Sequence, residues 1–362
     1  MIRPTLCTLA VVTSTLFAHP AEHTEPGEAP SQVMVTGNGL YRFQTTPEWG
    51  ELPEGKNLGP THGGVAVDSA GNVYTSTDAE HGICKFDAEG TFVKSFGKDT
   101  AWLHSLKIAT LDGKEFLIGA GAGNKAHKLT LEGERLATAP NDTTGEIPAK
   151  VQKKDKEGRL MINEDGSPVY DNPMRGTTAA VVDDAGNYYV ACGYGTNFLH
   201  KFDANGAHIK TVGGYATWEE RESTDKFRNC HGLSIDRRFD EPRLFIVDRE
   251  NGRLLHYDLD LNYISTYAKH LRRPCSVDFH GDEAAVAELA GRVTILGKEG
   301  EVLAFLGDNP DESQRANFKV PAEEMTPNLF TAPHGISYDA EGNLIVQDWN
   351  KTGRLSKMRR LK

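Results

Sequence analysis

Gly64-Val-Ala-Val-Asp68-Ser-Ala-Gly-Asn-Val-Tyr74, then Ile83-Cys-Lys-Phe-Asp87-Ala-Glu-Gly90 and Phe92-Val-Lys-Ser-Phe-Gly97, is the stretch from which the rest of the chain can be read. It contains three short runs of alternating character separated by Asp-x-x-Gly turns, the signature of antiparallel hairpins with one face turned inward. The unit returns as Ala179-Ala-Val-Val-Asp183-Asp-Ala-Gly-Asn-Tyr-Tyr189 with Leu199-His-Lys-Phe-Asp203-Ala-Asn-Gly206. It returns again as Gly232-Leu-Ser-Ile-Asp236 with Leu255-His-Tyr-Asp258, and as Gly335-Ile-Ser-Tyr-Asp339-Ala-Glu-Gly-Asn-Leu-Ile345. Two fainter copies begin at Ser105 and Pro274.

Aligning the Asp position gives 68, 109 (where it is Ala), 183, 236, 278 and 339, hence intervals of 41, 74, 53, 42 and 61. The shortest match a four-stranded propeller blade of about 40–45 residues, and polar insertions at 141–174 and 308–331 take up the excess. One such blade cannot bury its faces alone, whereas six around an axis can. The repeats resemble those of NHL type, and the expected fold is an all-β, six-bladed β-propeller over residues 32–362. Val33–Gln44 reads as a strand lying ahead of the first full repeat, so it is expected to close the ring on the C-terminal blade.

The 362 residues carry a net charge of −11, which argues against a nucleic-acid partner. Residues 1–18 read as an export signal, with Arg3 followed by a mostly apolar run to Phe17 and a small residue at Ala18. That run is too short for a membrane span, and residues 19–31 read as a disordered leader. The expected location is secreted or periplasmic. Cys84, Cys192, Cys230 and Cys275 contain no CxxC pair and read as small buried hydrophobes, although export would permit disulfides.

In a propeller the residue opening each innermost strand lines the central channel. Counting five back from the aligned Asp gives Gly63, His104, Thr178, His231, Arg273 and His334. Any single histidine there would be read as a polar tip bonded to water or backbone. Three on alternate blades instead point three imidazoles at one axis. Three neutral imidazoles with an open position are the ligand set of a catalytic zinc, ahead of other ions that accept imidazole. His62, His81 and His127 fall outside that register and read as lying outside the site.

Around these positions, Val247-Asp-Arg-Glu-Asn-Gly-Arg253, His231-Gly-Leu-Ser-Ile, His104-Ser-Leu, Pro333-His334-Gly-Ile and Gly193-Tyr194-Gly-Thr-Asn197 carry a resemblance. The sequence resembles peptidyl-α-hydroxyglycine α-amidating lyase, the lyase module of peptidylglycine α-amidating enzymes. That family splits a peptidyl-α-hydroxyglycine into a peptide amide and glyoxylate. The resemblance implies His104, His231 and His334 as zinc ligands, Tyr194 as general base, and Arg249 as partner of a substrate carboxylate. Two positions depart from it. Asp78 stands where the family has a second catalytic arginine, and Gly335 where it has an aspartate that helps to hold a structural calcium. Arg273 is the candidate to replace the missing arginine.

The partner expected is a small-molecule or peptide substrate. The competing reading is a non-catalytic propeller that binds a peptide, glycan or protein through its loop face. A calcium-dependent propeller hydrolase or lactonase would want channel carboxylates, and the positions here are His, Thr and Arg.

Overall fold

In the computed structural model the chain is all β. The structure describes residues 34–362 save 54, 55, 142, 144, 145, 149 and 154–158; the export-signal and leader readings fall on residues outside this set. Six antiparallel sheets stand round one axis, with innermost strands Val65–Val67, Leu103–Leu111, Ala179–Val182, Cys230–Asp236, Pro274–His280 and Pro333–Tyr338. Each innermost strand neighbours the next, and the sixth neighbours the first. The expected six-bladed propeller is therefore the fold.

The alternation that marked the strands explains how the blades pack. On the third blade, Ala179 and Val181 join the core shared with the fourth blade, while Ala180 and Val182 join the core shared with the second. The same division produces six apolar layers, one in each gap between blades. The repeated Asp fastens the first hairpin. Asp68 Oδ1 accepts from the Ala70 and Asn72 amides at 3.0 and 2.8 Å, and Oδ2 accepts from Asn72 Nδ2 and the Tyr74 hydroxyl. Asp183 repeats all four bonds. Both turns need a left-handed residue, supplied by Gly71 at φ 84° and Gly186 at φ 85°.

Ring closure follows expectation. Tyr41–Thr46 pairs antiparallel with Arg354–Arg360, Phe43 opposite Arg360 and Thr46 opposite Lys357, and Val35–Asn38 adds one further strand. Residues 141–174 include a small hairpin in which Gln152 bridges Tyr170 and Ile162 bridges Pro168. All four described cysteines are buried free thiols. Among the described residues, no helix is long and apolar enough to cross a membrane.

The fifth blade corrects the register read from sequence. Its inner strand runs on to His280, and the turn falls at Gly281–Asp282. Asp278 is therefore not the turn Asp. Its carboxylate instead reaches the sixth blade, accepting from Ser337 Oγ at 3.0 Å and the Tyr338 amide at 2.8 Å. The channel position of this blade shifts by two residues, from Arg273 to Cys275.

Candidate metal centre in the channel

Each channel histidine is the second residue of its innermost strand, and each is skipped by the ladder. The pairing jumps from Leu103 to Ser105, from Cys230 to Gly232 and from Pro333 to Gly335. Cys275 is skipped in the same way. A bulge re-aims one side chain without ending the strand, which is how these residues come to face the axis.

The bulge also lets each imidazole lean on the next blade. His104 Nδ1 donates to the Thr178 carbonyl at 2.7 Å, His231 Nδ1 to the Cys275 carbonyl at 3.0 Å, and His334 Nδ1 to the Gly63 carbonyl at 2.9 Å. A carbonyl only accepts, so all three rings carry the proton on Nδ1 and present a bare Nε2. Their centroids form a near-equilateral triangle of 4.6, 4.7 and 4.9 Å. Burial holds all three well below the ordinary histidine value, so they are neutral.

Tyr194 reaches in from a turn of the third blade. The residue is 39% exposed, yet its hydroxyl is turned into the triangle. The hydroxyl lies 3.1 Å from His104 Nε2 and 3.0 Å from His231 Nε2, and it accepts from Arg249 Nη1 at 3.1 Å. Burial pushes the phenol up to about 12, with the Arg249 charge pulling the other way. Arg249 also donates to Glu250 Oε1 at 3.0 Å, and Arg273 donates to the same oxygen at 2.8 Å. The two arginines thus flank one carboxylate at the mouth. Arg253 instead pairs with the buried Asp248 at 2.7 Å and holds the turn.

Two further residues belong here. His62, read from sequence as outside the site, has its ring 4.7 Å from His104 and 5.0 Å from His334, with Nε2 3.0 Å from the Tyr194 hydroxyl. The ring's first position, Gly63, cannot carry a side chain, because a Cβ would lie 2.0 Å from Ser76 Oγ. The histidine just before it fills the gap. A glycine at a lining position with a histidine beside it was the available signal. Cys275 is the other addition, its thiol pushed up to about 11 by burial. His81 and His127 hold backbone carbonyls, of Leu58 and Ala122, as expected of bystanders.

The donor set suits a cation. His62, His104 and His334 can bring ligand atoms within 4.8 Å of one another, as can His231, Cys275 and His334. Proton counting points the same way. The Nε2 atoms of His104 and His231 both need a donor, the phenol has one proton, and buried His334 Nε2 has no partner. Burying polar atoms without partners is costly, and an ion among these lone pairs would remove that cost.

No protein-family model matches the chain. A streptogramin B lyase superposes with a TM-score of 0.54 at 14% identity, covering 86% of this chain and 96% of that one. A gluconolactonase from Xanthomonas campestris gives 0.55 at 8%, covering 88% and 89%. A chain of a nidogen/laminin complex gives 0.50 at 12%, covering 84% and 96%. At these identities the likeness shows the propeller fold alone.

Proposed function

We propose that this chain is an exported zinc-dependent carbon–nitrogen lyase of the peptidyl-α-hydroxyglycine α-amidating type, which splits a carbinolamide into an amide and glyoxylate. One observation carries the reading: three buried neutral imidazoles, each fixed by the next blade's carbonyl, converge with a tyrosine hydroxyl that an arginine touches. His104, His231 and His334 would hold the zinc. Bound there, zinc would supply a Lewis acid for a hydroxyl oxygen and favour its ionised form.

The rest falls to the protein's own groups. Tyr194 Oη, with the Arg249 charge favouring its anion, takes the carbinol proton. The C–O bond becomes C=O, and the C–N bond breaks with its electron pair going to nitrogen. Tyr194 then gives that proton to the nitrogen, which completes the amide and restores the phenolate. Arg249 and Arg273 would grip the substrate carboxylate in competition with Glu250, aligning the bond to be cut. Asp78 contributes a negative charge on the first blade, so the carboxylate belongs on the arginine side.

The binding-module reading has one observation in its favour. Trp102, Tyr215 and Trp218 are 64, 60 and 58% exposed on loops leading into innermost strands, at the same end as the histidines. Aromatic side chains around a mouth suit a peptide ligand whether or not it is cut.

The deciding experiment measures metal content of the purified protein beside His231→Ala, followed by glyoxylate release from an α-hydroxyglycine peptide. About one zinc per chain, lost in the variant, with glyoxylate formed by the wild type, is the expected result. No bound metal even after zinc is supplied would overturn the lyase and leave a binding propeller.

A further inference from the structure

We infer that His62 is a fourth imidazole ligand of the metal and its displaceable one, an assignment that rests on the metal-centre reading above. Three observations carry it. The first is position. His62 shares with His104 and His334 a set of ligand atoms all within 4.8 Å, and its Nε2 lies 3.0 Å from the hydroxyl that His104 and His231 also approach.

The second is tautomer. The other face of the ring, Nδ1, looks toward Asp78 Oδ2 at 4.0 Å. A bare Nδ1 would set a lone pair against a carboxylate, whereas a protonated one is attracted to it. The proton therefore belongs on Nδ1, and Nε2 offers a lone pair to the centre. Each of the four imidazoles then follows one rule, with Nδ1 toward an acceptor behind it and Nε2 toward the axis. Counting His62 raises the converging lone pairs to four, still against one phenol proton, so the shortage of positive charge grows.

The third is exposure and place in the chain. His104, His231 and His334 sit in strands and are buried, at 8, 2 and 3% exposed. The His62 side chain is 31% exposed and lies between the bridged Thr61 and Gly63, outside any strand. Four protein nitrogens make a closed tetrahedral site, and catalysis needs an open position. The ligand able to yield it is the exposed one on irregular backbone. Asp78 is a positioning residue that keeps the ring turned inward.

The test uses the full chain, stripped with a chelator and reloaded with Co(II) or Zn(II), in wild type, His62→Ala and His208→Ala. His208 is the control, since it bonds Thr211 on the outer strand of the third blade. His62→Ala should still bind one metal per chain, about tenfold or more weakly by chelator competition. Its Co(II) visible bands should shift as water replaces a nitrogen, while His208→Ala matches wild type. Unchanged affinity and bands in His62→Ala would overturn the assignment and leave the three-histidine site standing. No metal bound by wild type would remove the metal reading itself. Melting temperatures check folding, and His62→Gln replaces the alanine variant if that variant is misfolded.

Discussion

Tyr194 carries more of the proposed chemistry than any other single atom group, because its hydroxyl is the meeting point of two strand histidines, His62 and Arg249. Tyr194→Phe deletes one oxygen and leaves the strands untouched. Glyoxylate release should fall by about 10²–10⁴-fold with zinc content unchanged, a pair of readings that a purely structural tyrosine would not give. A second residue-scale prediction concerns Asp236, whose buried carboxylate accepts from Arg238 Nη2 at 2.7 Å and faces His256 Nε2 at 3.1 Å. Burial opposes its charge, but the Arg238 and His256 hydrogen bonds win and hold it below the ordinary carboxylate range. A carboxylate that titrates lower when folded stabilises the fold above about pH 4, and that contribution drains away as pH falls further. Asp236→Asn should cost about 2–4 kcal/mol at pH 7, since it takes away the carboxylate that neutralises Arg238 and leaves that guanidinium only the Tyr267 hydroxyl and the Asp282 carbonyl. Melting temperatures from pH 7 to pH 2 should show the gap to wild type closing below pH 4.

The innermost strand is the element that places the channel histidines, and its tolerance is small where it meets its neighbour. A Cβ at Gly232 would stand 2.4 Å from the Cys275 carbonyl, the same oxygen that fixes His231 Nδ1. Gly232→Ala should therefore push the fourth and fifth blades apart, lowering stability by about 1–3 kcal/mol and weakening metal binding. Denaturant midpoints and chelator competition measure the two effects, and an unaltered metal affinity would count against this account. At this scale the sequence was legible wherever the Asp turn was present. Asp68, Asp183, Asp236 and Asp339 fix the strand ends, and His231 and His334 were found by counting back from two of them; His104 came from the same count although its blade has Ala109 there and turns later, at Asp112–Gly113. The fifth blade defeats the count because Asp278 mimics the turn residue while serving a neighbouring blade. Arg273 was thus placed two residues too early, and Cys275 was passed over. His62 escaped for a different reason: it enters the site from outside any strand, so no strand register points to it.

Across the described residues, stability rests on six apolar layers between blades, and the layer between the fifth and sixth depends on the strand Tyr41–Thr46. Phe43, fully buried, packs there with Ile336, Val346 and Met358. Phe43→Ala should cost about 3–5 kcal/mol in denaturant unfolding, a large share of a typical domain's 5–15 kcal/mol. Deleting residues 34–46 should leave no cooperative transition and an aggregating product, because the outer edge of Arg354–Arg360 would be bare. A deletion that melted like wild type would show that the other five layers suffice.

Tyr41–Thr46 lies in one sheet between Val35–Asn38 and Arg354–Arg360. The hairpin with Val35–Asn38 is local, whereas the pairing with Arg354–Arg360 closes a loop that holds the five blades between them. Contacts so far apart in sequence form slowly, so the seam of the ring is the slow step of folding. Until it shuts, the hairpin and the sixth blade each offer an unpaired edge to other chains.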